Sequence, residues 1–228
     1  MTDIFSKMRG KPFFHCIRHP YVATSEHCRQ RRNAKDKERL LDKAPTILCN
    51  DCLAGVILSD YNLPCNTPII NCGIKPVDYI RFLQNIEHYI SCDLVEKKCD
   101  SRCPIGELVS PLGNIEIEFT HYTSFKEAKM LWKRRCKRIN LNKTYVILDV
   151  NKYNYTTEDY IEQFNRLPYR KIVITTEERF KDLDGCFYID LGKKKDVAGL
   201  LLENKDILGH RYYNEFDFIS WLNQGTSR

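Results

Sequence analysis

Residues 144–150 read Thr-Tyr-Val-Ile-Leu-Asp-Val, and this run decides the fold. It is apolar without alternation, the pattern of a strand covered on both faces of a parallel sheet. A helical segment flanks it on either side. Ahead of it lies FKEAKMLWKRRCKRI (125–139), with Phe125, Ala128, Leu131, Trp132 and Ile139 as an apolar stripe. Ser124 and Glu127 have the spacing of a capping box at its start. Behind it lies TTEDYIEQFNRL (156–167), with Thr156 and Asp159 at the same spacing. KIVITT (171–176) and CFYIDL (186–191) then read as further strands.

Working outward, TILCN (46–50) reads as a buried strand and CLAGVILSDYNLP (52–64) as a short helix after it. TPIIN (67–71) is a second candidate strand. Pro76 opens a helix over 77–90, where Ile80, Leu83, Ile86, Tyr89 and Ile90 recur at helical spacing. Residues 91–106 look polar and irregular. NIEIEFTHY (114–122) alternates like a half-exposed strand near a sheet edge. KKDVAGLLLENKDIL (194–208) and EFDFISWLNQ (215–224) read as closing helices. Strands alternating with helices predict an α/β fold: one domain with a mostly parallel central sheet flanked by helices, in Rossmann-like layering.

The charge is uneven. The chain has 228 residues and a formal net charge of +6. Residues 1–43 hold 11 basic and 5 acidic residues, which is the entire surplus. The expected organisation is therefore a basic N-terminal arm, 1–43, ahead of a neutral α/β domain, 44–228. An anionic membrane surface is the partner this arm suits best, because PFFHCI (12–17) supplies apolar side chains beside the charge. No aromatic-interleaved basic pattern or recognition helix supports nucleic acid. No apolar run approaches the ~18 residues of a spanning helix, and the N-terminus lacks the apolar core of a secretory signal. The expected location is the cytoplasm, with peripheral attachment to the membrane's cytoplasmic face. The 11 cysteines are an odd number and fit mostly reduced thiols.

Ligands of open α/β sheets bind beyond the carboxyl ends of the strands. Those ends carry Cys49-Asn50-Asp51-Cys52, His121-Tyr122, Asp149-Val150-Asn151 and Thr176-Glu177-Glu178. Neither G-x-G-x-x-G nor a Walker loop is present. Asp149-Val150-Asn151 echoes the D-x-D with which many sugar-nucleotide enzymes hold a divalent metal and a diphosphate. Cys52, at a helix start, has the setting of an activated nucleophile. Arg134, Arg135 and Arg138 lie in the densest basic run, either a solvated face or a clamp for diphosphate. Cys49 with Cys52, and His88 with Cys92, Cys99 and Cys103, have spacings open to zinc, although scattered thiols are the simpler reading and no metal ligand set is assigned.

Several ordered stretches resemble a family of uncharacterised bacterial proteins, domain of unknown function 1919, often encoded among exopolysaccharide and capsule synthesis genes. They are ILCNDCLAGVI (47–57), LPCNTPIINCGIKPVDYIRFLQNIEHYI (63–90), PIGEL (104–108), IEIEFTHYTSFKEAKMLWKRRCKRIN (115–140) and LPYRKIVIT (167–175). Asn50, Cys52 and Gly55 match the family's first motif, as do Pro68, Asp78 and Tyr79 further on. His121 and Tyr122 match its H-Y, and Trp132, Arg134, Arg135, Arg138, Ile139 and Asn140 its basic helix. The resemblance implies a role in making surface polysaccharide. The reading that follows is a glycosyltransferase-like transferase on a nucleotide-activated or lipid-linked sugar, with a divalent metal, Mg²⁺ or Mn²⁺, as a possible companion. His121 or Asp51 would be the base. Asn50, Tyr122, Asp78, Tyr79, Asp149 and the three arginines would bind substrate. The alternatives are acyl transfer through Cys52 with His121, and a non-catalytic assembly subunit.

Overall fold

The computed structural model describes residues 12–151, 156–192 and 199–224, with side chains from residue 23 onward. Strands β1 (Thr46–Cys49), β5 (Thr144–Asp149), β6 (Arg170–Thr175) and β7 (Cys186–Tyr188) form one parallel sheet in the order β1-β5-β6-β7. Every residue of β5 is buried, as its unbroken apolar run requires. β2 (Leu94–Glu96), β3 (Ile105–Leu108) and β4 (Ile115–Glu118) form a separate antiparallel sheet. Seven α-helices occur among the described residues: α1 (Pro12–Arg39), α2 (Leu53–Asp60), α3 (Pro76–Gln84), α4 (Ile86–Ser91), α5 (Phe125–Cys136), α6 (Glu158–Asn165) and α7 (Phe218–Asn223).

Alternate residues of the parallel strands feed two cores, as strand geometry dictates. Leu48, Val146, Leu148 and Val173 pack against α3, α5, α6 and the antiparallel sheet. Ile47, Cys49, Tyr145, Ile147 and Ile174 pack against α2, α7 and Leu40. This is the layered α/β domain that the sequence predicts.

Five local expectations change. Residues 67–71 are not a strand. They wrap the end of β1, sending Ile69 into one core and Ile70 into the other. Their carbonyls bind Tyr122, Thr120 and His121 instead of a ladder. Residues 91–106, expected to be irregular, contain β2 and the start of β3, and NIEIEFTHY pairs with β3 rather than with the parallel sheet. Its burial does alternate, as its pattern demands. The helix expected over 77–90 breaks at Asn85, which leaves helical geometry at φ −134° and ψ 41°. Of the helix expected over 194–208, residues 194–198 lie outside the description. Gly199 sits at φ +88°, and only one 3-10 turn follows, Leu200–Leu202.

The fifth change concerns the arm. Ser25, Arg29, Asn33 and Leu40 are buried, so the second half of α1 packs on the body and the border expected at residue 44 cuts through that packing. The Arg29 guanidinium lies 3.6 Å from Asp60, which also receives Arg211 at 2.8 Å and the Tyr213 hydroxyl at 2.5 Å. Gly209, at φ +73°, is pressed against the Ser25 carbonyl, where a Cβ has no room. The apolar PFFHCI segment falls where side chains are not described.

Candidate functional site

The site assembles where β1 and β5 end. The last backbone rung between them joins Cys49 and Ile147. The Asn50 side chain then continues the ladder in place of a backbone: its Nδ2 donates to the Asp149 carbonyl at 2.9 Å, and its Oδ1 accepts the Asp149 amide at 2.8 Å. Asn50 is fully buried. A side-chain amide carries a donor and an acceptor side by side, as this pairing needs.

Asp51 turns the chain into α2. Its Oδ1 accepts the Leu53 amide at 2.9 Å and the Cys49 thiol at 3.0 Å. Asp51 follows Asn50 in the chain and so stands near the Asp149 carboxyl. Asp149 is buried, and burial followed by the neighbouring Asp51 charge holds its carboxyl well above the usual range. Burial thus favours the neutral form of Asp149. The other side of Asp149 is fixed by Asn151, whose amide and Nδ2 reach Oδ1 at 2.9 and 2.6 Å. Asn151 in turn accepts the Thr176 amide and hydroxyl, each at 2.7 Å, so the network crosses from β1 through β5 to β6.

The cysteines of this motif differ. Cys49 is fully buried, and burial together with Asp51 and Asp149 pushes its thiol up. It is a neutral donor. Cys52 is the N-cap of α2 and half-buried, with Sγ 3.9 Å from the Thr120 hydroxyl. Tyr79 lies fully buried near Cys49 and Asp51, and burial pushes its hydroxyl up.

A loop from β4 closes one flank. Thr120 and His121 both donate to the Asn71 carbonyl, at 3.2 and 3.4 Å. The His121 side chain is exposed, and Thr120 makes the contact with Cys52. Tyr122 donates to the Ile70 carbonyl at 2.8 Å and accepts from Arg135 at 2.5 Å. The arginines therefore separate. Helical side chains point back toward the helix start, and Arg135 uses that direction to reach Tyr122. Arg134 and Arg138 are exposed. Arg138 stands two residues before Asn140, whose amide binds Thr46 at the beginning of β1, the sheet edge opposite Asp51. Asp78 pairs with Arg81 at 3.2 Å, and Arg81 also binds the Asn114 carbonyl, so Asp78 braces α3 against the antiparallel sheet.

Among the described residues no three or more His, Cys, Asp or Glu side chains group as a metal site, and all ten described cysteines are free. His88 and Cys92 do meet, at 3.5 Å, but the Ser110 hydroxyl completes their contact at 2.8 Å from the same nitrogen. Asp149 is buried and its Oδ1 is taken by Asn151, which leaves the half-buried Asp51 as the carboxyl group that could meet Mg²⁺, and then only with further oxygens from a substrate phosphate and water.

The family described as Domain of unknown function (DUF1919) matches residues 23–223. The chain belongs to this family. An uncharacterized protein of Haemophilus influenzae (strain ATCC 51907 / DSM 11121 / KW20 / Rd) is 29% identical over 187 residues, covering 82% of this chain and 88% of that protein. The family match opens at residue 23, within α1, and so takes in the half of the helix that packs on the body. Of the matching positions, Asn50 is explained by the ladder it extends and Tyr122 by the two elements it ties. Thr120 and Asn71 were not singled out in the sequence. A threonine and an asparagine between apolar runs carry no spacing signal, and they gain meaning only when the loop folds onto Cys52.

Proposed function

We propose that this family member is a transferase acting on a nucleotide-activated or lipid-linked sugar during synthesis of surface polysaccharide. The observation that carries the chemistry is the half-buried Asp51 carboxyl group at the carboxyl edge of the parallel sheet, held in place by the Leu53 amide. The polysaccharide context rests on the resemblance of the ordered stretches between Ile47 and Thr175. Asp51 acts as general base on an acceptor hydroxyl, taking its proton as the oxygen attacks the sugar. Asp149 is a positioning residue, because its backbone anchors Asn50, the residue before Asp51. A divalent cation, if the reaction uses one, would be held by Asp51 together with oxygens of the substrate phosphate and water, and would neutralise a leaving diphosphate. The basic residues preceding the packed half of α1 favour a location against an anionic membrane on the cytoplasmic side. Among the described residues no helix is long and apolar enough to cross a membrane.

The test is transfer from a panel of sugar nucleotides and polyprenyl-linked sugars by the full chain. Asp51→Asn is expected to lower kcat by at least about a hundredfold, the lower range of general-base effects, while leaving the melting temperature within a few degrees. Full activity in Asp51→Asn refutes the assignment. Loss of activity in Cys52→Ala, with a covalent acyl adduct on Cys52 in the wild type, would instead establish acyl transfer.

A further inference from the structure

The polar stretch Lys97-Lys98-Cys99-Asp100-Ser101-Arg102-Cys103 joins β2 to β3. Together with the start of α5 it encloses an open cleft of about 470 Å³. Three cations line the cleft, Lys97, Lys98 and Arg102, against one carboxylate, Glu96. Lys97 is already engaged by Glu116 at 2.6 Å. Lys98 and Arg102 are exposed and have no acidic partner among the described residues. Ser101 and Ser124 add hydroxyls to the rim, and Tyr122 and Phe125 form an aromatic wall. Two unpaired cations beside hydroxyl donors complement a compact dianion, and an arginine fork suits phosphate oxygens.

We infer that this cleft binds a diphosphate group, with Lys98 and Arg102 as its charge partners and Ser101 and Ser124 as further donors. The position of the cleft supports this use. Tyr122 lines it, while Thr120 of the same loop touches Cys52, next to Asp51. Two residue steps of chain span at most ~7 Å, so a diphosphate in the cleft can present an attached group toward the strand ends. The cleft thus takes the role expected of Arg134 and Arg138, which the fold places toward the other end of α5. The proposed use in catalysis rests on the transferase reading, whereas diphosphate binding stands independently of it.

The experiment is calorimetric titration of inorganic pyrophosphate into the full chain and into a Lys98→Ala/Arg102→Ala double variant. The wild type is expected to bind, more weakly as ionic strength rises. The double variant is expected to bind at least tenfold more weakly with an unchanged melting temperature, because both side chains are exposed. Arg134→Ala/Arg138→Ala is expected to bind like the wild type. No binding by the wild type, or equal affinity in the Lys98/Arg102 variant, overturns the inference. Competition by uridine diphosphate would assign the group to a nucleotide, and competition by farnesyl diphosphate to a lipid carrier. Competition by neither overturns the inference. Asp51→Asn is expected to retain pyrophosphate binding, so failure of the transferase reading and failure of the cleft give different results.

Discussion

Replacing Asn50 by alanine removes the side chain that extends the β1–β5 ladder. Two hydrogen bonds are lost, at 2.9 and 2.8 Å, both to the Asp149 backbone. The site is fully buried, so water cannot replace them without opening the strand ends. Each buried group left unpaired costs about 1–3 kcal/mol, which puts Asn50→Ala at about 3 kcal/mol or more. In a domain of this size each kcal/mol moves the melting point by roughly 2–4 °C, so the expected fall is about 6–12 °C. Thermal unfolding can be followed by the fluorescence of Trp132 and Trp221, one in each core. Asn50→Asp is the discriminating companion. It keeps the acceptor for the Asp149 amide, loses the donor to the carbonyl, and adds a third carboxyl beside Asp51 and Asp149. Its deficit should therefore be larger at pH 8 than at pH 5. A shift below about 2 °C for Asn50→Ala, or a pH-independent deficit for Asn50→Asp, would refute the reasoning.

Two further outcomes follow from the same geometry. Asp149 has a folded-state pKa raised above its usual 3.8, so its contribution to stability is fully present below that value and is lost as pH rises through the raised one. Asp149→Asn can still accept both Asn151 bonds and removes the buried ionisable group, so its melting temperature relative to the wild type should increase as pH rises from 5 to 9; a constant difference would contradict the raised Asp149 carboxyl. Truncation separates the two halves of α1. Removing residues 1–22 should release the protein from anionic vesicles in a flotation assay without changing its melting point, whereas removing 1–43 should lower that point sharply, because Ser25, Arg29, Asn33 and Leu40 leave the packed body. Vesicle binding that survives the shorter deletion would remove the membrane reading.

The sequence by itself determined the parallel sheet, since an unbroken apolar run such as TYVILDV has no stable place except between two covering layers. It also placed Asn50, Asp51 and Asp149 at the carboxyl ends of parallel strands, where polar turns collect. The Ser124 cap was equally legible: its hydroxyl accepts the Glu127 amide at 3.3 Å, a bond made within three residues. Only the tertiary structure decided the rest. Asn50 and Asp149 are 99 positions apart, and nothing in either neighbourhood specifies that the side chain of one binds the backbone of the other. Arg134, Arg135 and Arg138 form one basic run, yet the fold sends Arg135 to Tyr122 and leaves Arg138 near the opposite sheet edge. The border at residue 44 follows from net charge, while the packing of α1 depends on Asp60, Gly209 and Arg211 far along the chain. Periodicity and capping act over a few residues and can be read from them. Side-chain-to-backbone pairing, charge pairing and close backbone approach depend on distances that exist only after the chain has closed on itself.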